Sequence, residues 1–71
     1  MASYRTVGHR IRAKRKRHGW SLRDLAAKSG VDFATISKIE NGKRQPLLSH
    51  IQTLAKALRV PPRELIPPGA A

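Results

Sequence analysis

Residues 22–39 read LRDLAAKSGVDFATISKI, and the pattern of this stretch is the most informative one for the fold. Its first half offers an apolar residue for a core and a small residue where two helices touch. Its middle has a glycine that tolerates positive φ, and its second half has two isoleucines three positions apart. The residues concerned are Leu25, Ala26, Gly30, Ile36 and Ile39. This spacing predicts two short helices at a steep angle across a tight turn, a helix-turn-helix.

Capping residues mark the ends of these two helices. Ser21 is a good N-cap for the first helix, and Asp24, three residues later, completes a capping box. Asp32 caps the second helix, which we expect over Phe33 to Glu40 with its end at Asn41-Gly42. The local signals therefore agree with the turn geometry.

The rest of the chain also has helical patterns. Apolar residues recur at helical spacing, and no strand-like alternation of useful length is present. Further helices are expected at about Thr6 to Arg17 ending at Gly19, at about Leu47 to Leu58, and as a short fifth helix with Pro62 in its first turn and Leu65 and Ile66 on its apolar side. The fold class is all-α, a compact five-helix bundle with a central helix-turn-helix. We expect one domain over 1–71, with a core over about 6–66 and a frayed tail over 67–71.

The charge balance bears on the binding partners. The 71 residues include 15 Lys and Arg against four Asp and Glu, a formal net charge of +11. A field of this sign attracts polyanions and speeds their encounter. A solvated basic face is the plainer alternative. A basic helix on a membrane surface is a third, although Val7 and Ile11 form too thin an apolar stripe for it.

Several kinds of chemistry are disfavoured. The chain has no Cys, which removes thiolate metal sites and cysteine nucleophiles. His9, His18 and His50 lack ligand-like spacing, and there are no paired carboxylates or glycine-rich phosphate loops. No apolar segment is long enough for a signal peptide or a membrane span. We expect no enzyme activity, cofactor, metal or membrane partner, and a cytoplasmic protein that is associated with a bacterial nucleoid or encoded by a phage.

The chain resembles the lambda-repressor and Cro-type helix-turn-helix family over about Val7 to Ile66. The run TISKIENGK at 35–43 is the most specific part of this match. Other matching positions are Ile11-Arg12, Arg15, Gly19, Ser21, Leu25-Ala26, Gly30-Val31, Pro46, the stretch 54–58 and Glu64-Leu65. The resemblance implies a five-helix domain of a bacterial or phage transcription regulator. Such a domain binds double-stranded DNA as a homodimer at a palindromic operator.

The resemblance also assigns roles to individual residues. Arg15 and Glu40 look like the family's partly buried ion pair between the first helix and the end of the recognition helix, with a weak surface pair as the alternative. The outward positions of the recognition helix, which face the bases in the major groove, are Phe33, Ala34, Ser37 and Lys38. Lys38 can donate to guanine or instead to a phosphate, and Phe33 and Ala34 can contact a thymine methyl group. Ser37 can reach a base edge or a phosphate, or face solvent. Partial burial is the alternative for Phe33.

Contacts to phosphate are implied for the periphery of the motif. The residues assigned to them are Arg23, Asn41, Lys43 and Arg44. The family often has Gln at the position of Leu22, where the side chain contacts phosphate, and Arg23 beside it can compensate. Backbone amides at the start of the same helix offer a further site for a phosphate.

These observations lead to a sequence-specific transcription regulator, most simply a repressor that occupies a promoter. We expect no small-molecule effector, because no sensor domain is appended, so the protein's own concentration would be the switch. An antitoxin or adaptor that binds another protein is the alternative, with an exposed apolar patch of Leu47, Leu48, Leu65 and Ile66 that we expect instead to form a homodimer contact. Sequence-neutral coating of nucleic acid is disfavoured, because Tyr4, Trp20 and Phe33 form no stacking platform and Trp20 is expected to pack on the core.

Overall fold

The computed structural model describes residues 4–66, which form four α-helices and one 3-10 turn. The helices are α1 (Tyr4–Arg17), α2 (Leu22–Ser29), α3 (Phe33–Glu40) and α4 (Leu48–Leu58), and the 3-10 turn is Pro62–Glu64. The all-α class and the central helix-turn-helix of α2 and α3 are confirmed. Helix α1 begins two residues earlier than expected, and α4 begins one residue later because Leu47 is its extended N-cap. The tail expected over 67–71 lies outside the described residues.

The prediction of a fifth helix is wrong, because the segment that contains Pro62 forms only the 3-10 turn. Its hydrogen bonds run from Glu64 N–H to the Pro61 carbonyl and from Leu65 N–H to the Pro62 carbonyl, both 2.9 Å. Prolines on both sides explain this shortness. Pro61 and Pro62 have no N–H to donate, and Pro67 biases Ile66 away from the helical region. Too few residues remain between them for an α-helical ladder.

The core lies between all four helices and the 3-10 turn. Its fully buried large side chains are Ile11, Leu25, Ile36, Ile39, Leu54, Leu58 and Leu65. Leu65 was expected in an exposed apolar patch, and this expectation is wrong, because the 3-10 turn directs its side chain into the core. Trp20, Leu22 and Ile66 pack against the core and are partly buried. Leu47 and Leu48 remain exposed, by 56% and 64%.

Each helix ends with a residue of positive φ, which lets the chain reverse while its last carbonyls are bonded. Glycine occupies this position after α1, α2 and α3, at Gly19, Gly30 and Gly42. After α4 the residue is Arg59, with φ 62°. In the α3 example, Lys43 N–H donates to the Lys38 carbonyl over 2.8 Å. The reversals keep the connections short and fix the angles between consecutive helices.

Helix α1 holds the C-terminal end of α3 through a buried ion pair. Arg15 Nε and Nη2 donate to the two carboxylate oxygens of Glu40, each over 2.9 Å, and Arg15 Nη1 donates to the Trp20 carbonyl over 2.8 Å. Both side chains are buried, and the hydrogen bond to Glu40 raises the pKa of Arg15. The paired groups satisfy each other's charge, so the pair fixes where α3 sits relative to α1.

Candidate nucleic-acid interface

Helix α3 presents one face to the core and the opposite face outward. Its inner residues Ile36, Ile39 and Glu40 are buried. Of the four residues expected to read bases, Phe33, Ala34 and Lys38 are exposed, and Ser37 is half-buried. The first turn of the helix is fixed by Asp32, whose Oδ2 accepts hydrogen bonds from the amides of Ala34 and Thr35 over 3.0 and 3.3 Å. The outward face is therefore held on a rigid element.

Arg23 and Phe33 bring the two helices of the motif together at the surface. The Arg23 guanidinium lies over the Phe33 ring, 5.0 Å from its centroid, and the Phe33 residue remains 39% exposed. Such an arrangement is a favourable cation–π contact. It places the Arg23 guanidinium, which is expected to bind phosphate, directly beside Phe33, the first residue expected to contact a base. Phe33 is thus partly covered, with Arg23 among its neighbours, and still presents part of its surface outward.

The loop after α3 is tied back to the helix by side chains. Asn41 Nδ2 donates to Ser37 Oγ over 3.5 Å, and Arg44 Nη1 donates to Thr35 Oγ1 over 3.4 Å. Pro46 is buried and anchors the far end of the loop. Lys43 and Arg44 are both exposed, so this loop carries two positive charges next to the outward face of α3.

Thr35 is a residue of this site that the sequence analysis missed. Its hydroxyl accepts the hydrogen bond from Arg44, nine positions along the chain, and so helps to orient a cation of the loop. No periodic signal in the sequence links positions this far apart across a turn. Only the backbone reversal at Gly42 brings them together.

The start of α2 carries a negative charge beside the expected phosphate contacts. Ser21 and Asp24 form a reciprocal capping box: Ser21 N–H donates to Asp24 Oδ2 over 2.8 Å, and Asp24 N–H donates to Ser21 Oγ over 3.0 Å. The backbone hydrogen bond from Ser21 and the one from its hydroxyl lower the pKa of Asp24. Leu22 turns towards the core and is half-buried. The side chain available for phosphate at this end is thus Arg23, which is exposed.

The electrostatics of the site follow from these positions. Four cations surround the outward face of α3: Arg23, Lys38, Lys43 and Arg44. The carboxylates near them, those of Asp24 and Asp32, are engaged in capping the two helices. Within residues 4–66, no group of three or more His, Cys, Asp or Glu side chains could hold a metal ion. The same part of the chain has no helix that is long and apolar enough to cross a membrane.

Comparisons with known structures agree with this geometry. The restriction-modification controller protein C.AhdI from Aeromonas hydrophila is similar with a TM-score of 0.85 and 38% identity, over 89% of this chain and 96% of that one. SinR, described as a master regulator for biofilm formation and crystallised with DNA, is similar with a TM-score of 0.79 and 33% identity, over 83% and 95% of the two chains. The fold and the outward α3 define the class as a helix-turn-helix DNA-binding domain.

The family follows from the sequence comparisons. The HTH_3 helix-turn-helix model matches residues 11–65, and the chain belongs to this family of DNA-binding transcription regulators. The transcriptional repressor RghR of Bacillus subtilis is 46% identical over 57 residues, 79% of this chain and 42% of that protein. An uncharacterized HTH-type regulator of Mycobacterium tuberculosis is 42% identical over 60 residues, 84% of this chain and 23% of that protein. This chain thus spans less than half of the length of these two relatives.

Proposed function

We propose that this protein is a repressor that binds a palindromic operator as a homodimer, with α3 in the major groove. The observation that carries the proposal is the outward face of α3. It is capped, held by the buried Arg15–Glu40 pair and surrounded by cations on two sides. A rigid helix with an exposed face at its N-terminal end can approach base edges closely. The similarity to RghR, whose name describes it as a repressor, supports repression over activation.

Base recognition falls to the four outward residues of α3 in this proposal. Lys38 donates to guanine O6 or N7, and Phe33 and Ala34 contact the methyl group of thymine. Ser37, whose hydroxyl is near the amide of Asn41, contacts a base edge or a phosphate. Because only Lys38 among them carries a charge, it has the largest expected effect on which sequence is preferred.

Phosphate contacts come from the residues on either side. Arg23 lies at the start of α2, and Asn41, Lys43 and Arg44 lie in the loop after α3. Their side chains are exposed, and the loop that carries three of them is fixed at Gly42 and Pro46. These contacts position the domain on the duplex and carry no sequence information of their own.

A matched pair of variants tests these roles. We expect Lys43→Ala to weaken binding to all duplexes by a similar factor and to flatten the salt dependence by about one unit for each protomer bound. We expect Lys38→Ala to change which sequence is preferred, with about 1 to 3 kcal/mol of discrimination lost at one base pair. Both changes remove an exposed lysine, so the general loss of charge is matched. The opposite pattern of effects would exchange the two assignments.

The proposed contact between the two protomers is formed by the exposed leucines before and at the start of α4. Leu47 and Leu48 together form an apolar surface that the core does not use, and Ile66 is partly buried. Analytical ultracentrifugation, with and without operator DNA, measures the association directly. We expect Leu48→Ser to weaken it and Thr53→Ser, exposed elsewhere on α4, to leave it unchanged. A protein that stays monomeric at high concentration on and off DNA would contradict the dimer.

A second candidate function uses the same leucines to bind a different protein. SinR, similar over 83% of this chain, has been crystallised as a SinR–SinI protein complex. An adaptor or antitoxin role predicts that Leu48→Ser abolishes binding of a protein partner and leaves the affinity for isolated half-site DNA unchanged. The homodimer predicts a loss of affinity for the full palindrome, since both half-sites must be occupied together.

A further inference from the structure

A cavity of about 340 Å³ lies where the C-terminal ends of α1 and α4 meet the 3-10 turn. Its polar lining consists of Lys14, Arg17, His18, Arg59 and Glu64, and Leu58 and Val60 supply apolar surface. We call this feature the basic cavity. Its volume is at the lower end of the range for small-molecule sites. It shares no lining residue with the proposed DNA surface.

The basic cavity has an excess of positive charge. Lys14 Nζ lies 2.9 Å from Glu64 Oε1, so these two lining charges compensate each other. The hydrogen bond from Lys14 lowers the pKa of Glu64, and the positive charges of Arg63 and Arg17 contribute to the same shift. Arg17 and Arg59 then remain, and the lining includes no second carboxylate for them. Two guanidinium groups facing one cavity favour a ligand with two negative charges.

One wall of the basic cavity is a fixed aromatic ring. The His18 ring is stacked on the Trp20 ring, with centroids 4.1 Å apart and an interplanar angle of 11°. His18 Nε2 also lies 2.8 Å from the Leu58 carbonyl oxygen, within hydrogen-bond distance. These two contacts hold the imidazole in one orientation. A planar ligand ring can pack against such a wall with little loss of side-chain freedom.

Arg59 provides an independent indication that this site has a use. It is the one residue other than glycine with positive φ in the described span, and a side chain in this conformation costs free energy. The other three helices have glycine at the equivalent position, at Gly19, Gly30 and Gly42. Strained residues of this kind cluster at functional sites. A glycine here would avoid the strain, yet the residue is one of the two arginines that line the cavity.

We propose that the basic cavity binds a nucleoside phosphate, with the phosphate between Arg17 and Arg59 and the planar base against His18. Such a ligand matches the charge, the aromatic wall and the volume of the cavity. The sequence predicts no small-molecule effector, and the basic cavity is the observation that changes this expectation. Because the ligand would contact α1, α4 and the 3-10 turn at once, its binding stabilises the fold.

The test is a titration of the full chain with AMP, followed by two-dimensional NMR. We expect amide shifts concentrated at the residues of the basic cavity, weaker binding of inorganic phosphate, and no saturable binding of adenosine. Arg59→Gly is the most informative variant. It removes a lining cation and relieves the backbone strain, so we expect at least a tenfold loss of AMP affinity together with an unchanged or higher melting temperature.

Two further variants complete the design. Arg17→Ala should also lose AMP affinity, whereas Arg63→Ala, which removes an exposed arginine of the 3-10 turn outside the lining, should retain it. Equal AMP affinity in Arg59→Gly, Arg63→Ala and the parent protein would overturn the proposal. So would shifts confined to α3 and its loop, or an effect that sodium chloride reproduces at equal ionic strength. Displacement of AMP by short duplex DNA would identify the cavity as a second DNA contact instead.

Discussion

Gly8 is the residue at which the backbones of α1 and α3 come into contact. A Cβ atom built at Gly8 would overlap the Ile39 carbonyl oxygen and lie 3.1 Å from the Glu40 Cα. A backbone carbonyl cannot move aside as a flexible side chain can. The absence of a side chain at Gly8 therefore sets the distance between the two helices.

The variant Gly8→Ala tests this contact. We expect it to destabilise the fold by about 2 to 3 kcal/mol, because α1 and α3 must separate, even though alanine favours the helix itself. Gly19→Ala is the matched control: its Cβ meets nothing within 4 Å, and only the positive φ of 76° opposes it. That control should cost about 1 kcal/mol. Equal losses in chemical denaturation would show that the two helices are not in tight contact.

The Arg15–Glu40 pair allows a second test at the scale of single residues. Because the charges are buried and hydrogen-bonded to each other, Glu40→Leu alone leaves Arg15 uncompensated and should cost about 3 kcal/mol or more. The double variant Arg15→Met with Glu40→Leu removes both charges and should recover a large part of that loss. Urea denaturation of the four proteins gives the coupling energy. A double variant as unstable as the sum of the two single variants would contradict the pairing.

The elements of this fold depend on capping residues for their bounds. The sequence predicts α2 and α3 well, because Ser21, Asp24 and Asp32 are strong start signals and Gly30 is a strong stop signal. The prediction fails after α4. There, prolines on both sides of the segment leave a 3-10 turn in place of the expected fifth helix. It also placed Leu65 in an exposed patch, because the amount of apolar surface that the small core can absorb depends on the packing of the helices and cannot be read from the sequence.

Two carboxylates give the stability of the protein a pH dependence: Asp24 in the cap of α2 and Glu64, which joins the 3-10 turn to α1. The pKa of Asp24 is lowered chiefly by the backbone amide of Ser21, and that of Glu64 by Lys14. A lowered pKa means that the folded protein binds fewer protons than the unfolded chain in the acidic range. Stability is therefore complete above the ordinary carboxyl pKa and decreases as the pH falls below about 5.

The variants Asp24→Asn and Glu64→Gln should each remove part of this acid sensitivity. Melting temperatures measured between about pH 7 and pH 3 would show it as a shallower decline in each variant than in the parent protein. Both carboxyl groups are exposed, so the effect of each is small and decreases with added salt. An unchanged slope in both variants would assign the acid sensitivity to other groups.

At the scale of the whole molecule, the excess of positive charge and the outward α3 act together. The sequence predicts the residues of the α3 face because helical periodicity separates inner from outer positions. It could not predict the links among them, such as Arg23 over Phe33 and Arg44 to Thr35, since these depend on the angle between elements. The basic cavity was equally inaccessible, because three separate segments form it.

The salt dependence of DNA binding tests how much of this charge reaches the phosphates. Arg23, Lys43 and Arg44 supply three cations in each protomer, and a homodimer would neutralise about six phosphates. The logarithm of the binding constant should then fall with the logarithm of salt concentration with a slope of about −5. Fluorescence anisotropy at several salt concentrations measures it. A slope nearer zero than about −2 would contradict the assignment of all three cations to phosphate.

The claim that α3 reads a DNA sequence is tested by a selection from a pool of random duplexes. We expect the full chain to enrich one palindromic motif with half-sites one helical turn apart, about 10 base pairs from centre to centre. We also expect Lys38→Ala to enrich a motif altered at one symmetric pair of positions. Failure to enrich any sequence by more than about tenfold over the starting pool would contradict the claim and leave only charge-driven binding to DNA.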